Sequence, residues 1–365
     1  MRLLRRAGFV PVRSEQAQGH IITTHHAATR LAEFVIPVHH VVDDLVLTTI
    51  VGAADLLADD LQHVGSHILR TDGDAVWCRI AGDLGDLWAV RTYRSAAVQL
   101  GVDALPDLDA LHRSIRSGVL VPLASTNSIG FRVGHPDTAR RRQVIDAVEG
   151  RTPWTNRPAG WDVNLTQHHG TWLAEVGYLH SSRRFGRLAR RPWSTNPVLA
   201  AVLVRMAKIT DNQQVHDPFC GTATLLIAAD AAARSVRLSG SDIDPPGLAM
   251  ARQNLHDHQL DAELRHADAI PFPHPDGSLD RIVSNLPFGK RVGSHVANTR
   301  LYPAVLQEIA RTLRPNGRAV LLTEDKRLFV DAVARTRGIK IIRDRLLGYN
   351  GATPSAYVLT RTRRR

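Results

Sequence analysis

The chain has 365 residues, 44% of them hydrophobic, and exceeds the ~250 to 300 residues at which a single core tends to split, so two or three folded units are expected. Forty-six Lys and Arg against 35 Asp and Glu give a formal net charge of +11, which points to a polyanionic partner. Two cysteines, Cys78 and Cys220, exclude a disulfide framework; no Cys/His spacing is that of a zinc site and no signal-peptide pattern or apolar run of about 18 residues occurs, so a cytoplasmic chain with neither membrane nor metal partner is expected.

Residues 1–45 select nothing beyond a basic start, with a strand or short helix over 31–42. The apolar run 46–51 predicts a strand, Gly52 a break, and the helical spacing of Leu56, Leu57 and Leu61 a helix over 53–64. Residues 74–80 alternate like a half-buried strand, and 84–100 hold a further helix and strand. Over 105–182 the pattern predicts a helix at 108–115, a strand at 129–133, a helix at 137–148, and two strands, 161–165 and 171–176, joined by a hairpin turn at 167–170. The adjacent histidines of the pairs His25-His26, His39-His40 and His168-His169 are expected on opposite faces of extended chain, so no metal-ligand role is assigned to them.

Residues 183–193 read as a basic linker. Arg183, Arg184, Arg187, Arg190 and Arg191 alternate with Phe185 and Trp193, a composition suited to phosphate contact with stacking, a solvated hinge being the alternative. Asn196-Pro197 then starts a helix.

From 194 onward apolar strands end, one after another, in polar or small residues, which is where open α/β sheets bind ligands. The first ends in Asp217-Pro218-Phe219-Cys220-Gly221-Thr222-Ala223-Thr224 and opens a helix; small residues there let backbone N–H groups approach a ligand and the helix N-terminus favours a carboxylate. The second ends at Asp242, placed to bind both hydroxyls of a ribose, with Ile243 over an adenine and Asp244 capping the next helix. The third ends at Asp268-Ala269, where Asp268 is positioned to accept an adenine amino hydrogen. The fourth, 279–283, empties into Ser284-Asn285-Leu286-Pro287-Phe288-Gly289-Lys290-Arg291. There the Asn285 side-chain oxygen and the Leu286 carbonyl can take the two hydrogens of one exocyclic amino group while Pro287 stiffens the turn, Phe288 stacks on the base, and Lys290 and Arg291 add charge for RNA. Helix, strand and helix then precede two final strands at 339–346 and 356–360, paired across Asn350-Gly351, and a basic tail closes the chain.

The octet at 284–291 resembles the N-[LP]-P-[FY]-G signature of methyltransferases acting on exocyclic amino groups of bases, and the turn at 217–224 resembles their D-P-F-C-G-[ST]-G-T motif, with Ala223 where the family usually has Gly. Residues 46–182 look like the amino-terminal part of the THUMP-containing RNA methyltransferases. The resemblance implies an α/β chain: a carboxy-terminal Rossmann-like, seven-stranded class I methyltransferase domain (194–365) behind ferredoxin-like (46–104) and THUMP-like (105–182) α+β domains. It implies S-adenosylmethionine as cofactor, held by Asp217, Phe219, Gly221, Ala223, Thr224, Asp242, Ile243, Asp268, Ala269 and Asn285. It also implies Asn285, Leu286, Pro287 and Phe288 as the catalytic set, and tRNA or another structured RNA as partner. Such an enzyme methylates the N2 amino group of a guanosine, most closely in the tRNA acceptor stem. Alternatives are an rRNA guanine-N2 or DNA adenine enzyme and, in another class, an RNA-binding protein that keeps the cofactor without turnover, which Ala223 leaves open.

Overall fold

The computed structural model describes residues 40–124, 128–287, 295–349 and 351–362, together with the backbone of an antiparallel pair, β1 (Phe9–Val12) and β2 (Ile21–Thr24). Phe288, Lys290, Arg291, Asn350 and the last three arginines lie outside the described residues. The chain divides into two compact units, Met1–Thr49 with Ala53–Arg187 and Ile50–Gly52 with Leu188–Arg365.

The first unit is built on an eight-stranded mixed sheet. Its strands are β3 (His40–Thr48), β4 (His67–Asp72), β5 (Ala75–Asp83), β6 (Ser95–Gln99), β7 (Gly130–Gly134), β8 (Thr155–Asn156), β9 (Val163–His168) and β10 (Thr171–Val176), in the order β4-β5-β3-β6-β10-β9-β7-β8. Only β7 pairs in parallel, with β8 and β9. Helices α1 (Ala54–His63), α2 (Leu84–Ala89), α3 (Leu108–Ser117) and α4 (Thr138–Glu149) begin where the sequence asks them to: Asp83, Asp107 and Asp137 each accept backbone N–H groups at the N-terminus of the helix that follows. Leu57, Leu61, Tyr93, Phe131 and Trp172 fill the core.

Two departures from the sequence pattern have physical causes. Strand β3 starts at His40, well before the apolar run, because its acids are paired: Asp44 meets Arg79 across the ladder at 2.6 Å, and Asp43 accepts from the Val119 amide and the Ser114 hydroxyl. Strand β4 escapes the pattern since it is an almost wholly exposed edge, with no apolar face to alternate. The segments 46–104 and 105–182 contribute to one and the same sheet, joined where β6 pairs with β10, so hydrogen bonding runs without interruption past residue 104.

After a short helix α5 (Ser181–Arg184), the second unit carries a seven-stranded sheet of β11 (Gln214–Asp217), β12 (Arg237–Asp242), β13 (Ala262–His266), β14 (Leu279–Asn285), β15 (Leu313–Thr323), β16 (Ile339–Leu346) and β17 (Ser355–Arg361), in the order β13-β12-β11-β14-β15-β17-β16. All pairs are parallel except those of β17, which runs against both neighbours. Helices α6 (Pro197–Ala207), α7 (Thr224–Ala232), α8 (Pro245–Asp257), α9 (His295–Thr312) and α10 (Lys326–Arg335) connect and cover it. Asn196 caps α6 ahead of a proline at its first position, and Asp244 caps α8 in the same way. Strand order reverses between β11 and β14, so the crevice beyond their carboxyl ends is the position where such sheets take ligands.

Candidate active site

At the end of β11, Asp217 is fully buried. Its Oδ1 accepts the Ser284 hydroxyl at 2.6 Å and the Phe219 amide at 3.1 Å, while Oδ2 has no partner among the described residues. Burial pushes its pKa up to about 7, against those two hydrogen bonds. The turn that follows is tight. Gly221 has φ 48° and Ala223 φ 63°, with the Ala223 amide donating back to the Cys220 carbonyl at 2.7 Å. Ala223 therefore does adopt the left-handed conformation that its methyl group disfavours, and it is completely buried at the start of α7.

Asp242, at the end of the adjacent β12, accepts the Gly221 amide with Oδ2 at 2.7 Å and the Asp244 amide with Oδ1 at 2.9 Å. Its carboxylate is thus locked beside the turn with half of its lone pairs unspent. Ile243 next to it is 69% exposed, Asp268 is exposed beyond β13, and Ala269 is buried. Phe219 is half-buried and Thr224 is buried as the first residue of α7.

Asn285 ends β14. Its Nδ2 donates to Thr195 Oγ1 at 3.2 Å, and its Oδ1 is buried with no partner among the described residues. Leu286 continues the ladder through its amide to the Leu322 carbonyl at 3.0 Å and buries its side chain. The Pro287 carbonyl accepts the Tyr302 hydroxyl at 2.8 Å, and that hydroxyl also meets Thr323 Oγ1. The fold therefore brings together Asp217, Gly221, Ala223 and Asp242 on one side and Asn285, Leu286 and Pro287 on the neighbouring strand, Ser284 bridging the two ends. Sequence reasoning gave Ser284, Thr195 and Tyr302 no role: a serine at the head of the octet, a threonine before a cap and a tyrosine in a helix acquire their meaning from their neighbours in the fold.

Of the five linker arginines, Arg184 is the one the fold buries. It is 3% exposed, and its guanidinium donates to three backbone carbonyls, of Leu179 at 2.9 Å, Val90 at 2.6 Å and Tyr93, while lying 3.6 Å from the Tyr93 ring centroid. Arg183 is partly spent too, donating to the Trp161 carbonyl and facing Asp162 at 4.0 Å. Arg191 pairs with Asp244 at 3.0 Å, and Arg187 and Arg190 are exposed.

A parallel sheet of this order with a reversed last strand and a strand-turn-helix cradle gives the second unit the class I methyltransferase fold. Residues 184–349 match the family model described as UPF0020: RMKL-like, methyltransferase domain. The chain is 31% identical over 239 residues to the Homo sapiens tRNA (guanine(6)-N(2))-methyltransferase THUMP3, covering 60% of this chain and 47% of the relative. It is 32% identical over 180 residues to the tRNA (guanine(6)-N2)-methyltransferase of Thermus thermophilus, covering 49% and 53%. It thus spans about half the length of these curated relatives. The crystal structure of TrmN from Thermus thermophilus superposes with a TM-score of 0.64 at 25% identity, over 87% of this chain and 99% of that one.

Proposed function

We propose that the protein is an S-adenosylmethionine-dependent RNA methyltransferase that methylates the exocyclic N2 amino group of a guanosine in the acceptor stem of tRNA, guanine 6 being the position printed in its relatives' names. The observation that carries this reading is the buried Oδ1 of Asn285, without a partner among the described residues, beside a stiff Leu-Pro turn. A buried acceptor left unpaired costs about 1 to 3 kcal/mol, and an incoming amino group relieves that cost.

Asp217, Phe219, Gly221, Ala223, Thr224, Asp242, Ile243, Asp268 and Ala269 are the residues that would hold the cofactor. The fit rests on the lone pairs of Asp242 and on the Oδ2 of Asp217 that have no partner among the described residues, the latter suiting a cationic group. S-adenosylmethionine supplies an electrophilic methyl group. The base amine is a weak nucleophile because its lone pair is shared with the ring. Asn285 Oδ1 and the Leu286 carbonyl, accepting its two hydrogens, favour the positive charge that grows on nitrogen in the transition state. Thr195 holds the Asn285 carboxamide by its Nδ2 and so keeps the oxygen available, and Tyr302 anchors the Pro287 carbonyl. Phe288 has the stacking role and, with Asn285, Leu286 and Pro287, completes the catalytic set.

The 46–104 and 105–182 segments are assigned as ferredoxin-like and THUMP-like parts of an RNA-gripping unit, aided by Arg187 and Arg190 and by Lys290 and Arg291. No helix among the described residues is long and apolar enough to cross a membrane, and the two cysteines are free and buried, in keeping with a reducing compartment such as the cytoplasm. The test is methyl transfer from labelled S-adenosylmethionine to unmodified tRNA, rRNA and DNA, with nucleosides analysed by mass spectrometry: N2-methylguanosine in tRNA is expected, and methyladenine, or no product with any of the three, would refute the assignment.

A further inference from the structure

The β9–β10 hairpin breaks the rule that adjacent histidines diverge. His168 pairs with Thr171 across a two-residue turn of His169 (φ 48°) and Gly170 (φ 81°), both left-handed. Leaving extended geometry at His169 brings the two imidazoles face to face, with ring centroids 4.3 Å apart and planes at 31°. The turn between β4 and β5 delivers Asp74 to the same place, its Oδ1 3.3 Å from His168 Nε2. That contact lacks hydrogen-bond alignment, so the buried Nε2 has no hydrogen-bond partner among the described residues. One donor atom from each of Asp74, His168 and His169 lies within 4.8 Å of the others.

We propose that Asp74, His168 and His169 bind a divalent transition-metal ion such as zinc(II), clipping the β4–β5 turn to the β9–β10 hairpin within the amino-terminal sheet. Two imidazoles and one carboxylate form a donor set for zinc, nickel or cobalt rather than for magnesium or calcium. Metal bonds of about 2.1 Å put tetrahedral donors about 3.4 Å apart, so the Asp74–His168 spacing is already suitable and a small rotation of the exposed His169 closes the set. Three protein ligands leave a fourth position for water.

The surroundings are arranged as a ligand shell requires. Arg94 faces the other Asp74 oxygen at 4.0 Å, and the Asp74 backbone carbonyl accepts the Thr49 amide at 2.8 Å, which fixes the main chain that carries the carboxylate. The groups facing His168 are Asp74 and Asp72, which favour a cation, and His169 and Arg94, which oppose one.

Zinc(II) titrated calorimetrically into the chelator-stripped, untagged full chain should show one tight step per chain. Asp74→Asn and His169→Asn should each weaken that step on the order of 10- to 100-fold or more. Asparagine accepts the left-handed turn position, so the second variant keeps the hairpin, which unchanged circular dichroism would verify. Zinc should also raise the thermal midpoint of the wild-type protein and leave that of His169→Asn unmoved. Absence of a step in the wild type, an unchanged isotherm in either variant, or an equal thermal shift in His169→Asn would each overturn the assignment.

Discussion

Arg184 and Asn285 are polar side chains set close to apolar cores, yet the two regions use them in opposite ways. Around Arg184, three carbonyls converge on the guanidinium and a tyrosine ring covers it, so a charge is absorbed into the architecture of the amino-terminal unit. Around Asn285, at the end of a central parallel strand, Nδ2 is engaged and the buried oxygen has no partner among the described residues. The difference separates a polar group held by the fold from a candidate for chemistry: each guanidinium nitrogen of Arg184 donates to a backbone carbonyl, whereas one polar atom of Asn285 has no partner among the described residues.

The comparison is broken most directly at Arg184. Arg184→Met would strand three buried carbonyls and should cost about 3 to 5 kcal/mol of stability. Its RNA affinity, measured well below the lowered melting temperature, should match the wild type; a normal melting temperature with weakened RNA binding would return Arg184 to the phosphate-contacting group.

On the other side, Asn285→Ala should lower the single-turnover methylation rate by about 10² or more while cofactor affinity, measured by calorimetry, stays near normal. A wild-type rate would remove Asn285 from the chemistry.

A smaller effect is expected where arginines are exposed. Replacing Arg187 and Arg190 together with Gln should weaken RNA binding and reduce its dependence on log salt by about one for each phosphate that the protein no longer neutralises. An unaltered slope would make the linker a hinge and nothing more.

Asp217 sharpens the contrast through pH. Its folded pKa, about 7, lies above its ordinary value, so the unfolded chain ionises first. The folded state then holds the extra proton, and this group's contribution to stability is present below about pH 4 and declines as pH rises towards 7. Denaturant midpoints at about pH 5 and about pH 8 should differ more in the wild type than in Asp217→Asn, and equal differences would show that Asp217 does not carry the effect. The smallest change is foreseen for Ala223→Gly. Relief of left-handed strain, about 1 to 2 kcal/mol, is largely offset by the backbone entropy of glycine. Stability should rise by less than about 1 kcal/mol with activity kept, and a large loss of turnover would show that the methyl group itself contacts the cofactor.

Much of the second unit was legible in the sequence because its signals are local. A run of apolar residues makes a parallel strand buried on both faces, a small-residue turn can only open a helix there, and Asn196-Pro197 and Asp244-Pro245 announce helices by capping chemistry within four residues. The order in which Asp217, Asp242, Asp268 and Asn285 follow strands was therefore readable before any strand was placed. The first unit was less so: β4 shows the solvent nearly all of its length, and the acids of β3 look unsuited to a strand until Arg79 and Ser114 are brought to them.

What the sequence could not decide is which atoms are left over. Arg184 stands in a basic run and reads as solvated; only the packing of the β5–β6 connection against it, by residues some 90 positions away, gives both terminal guanidinium nitrogens carbonyl partners. His168 and His169 look divergent until a left-handed turn folds one ring onto the other. The Asn285 oxygen is offered to an amino group by the sequence motif already, but that its nitrogen goes to Thr195 and its oxygen meets no partner among the described residues is decided by the tertiary structure. Local conformation follows from neighbouring residues, whereas the satisfaction of a hydrogen-bonding group depends on partners delivered by distant segments, and that is settled only when the sheets close.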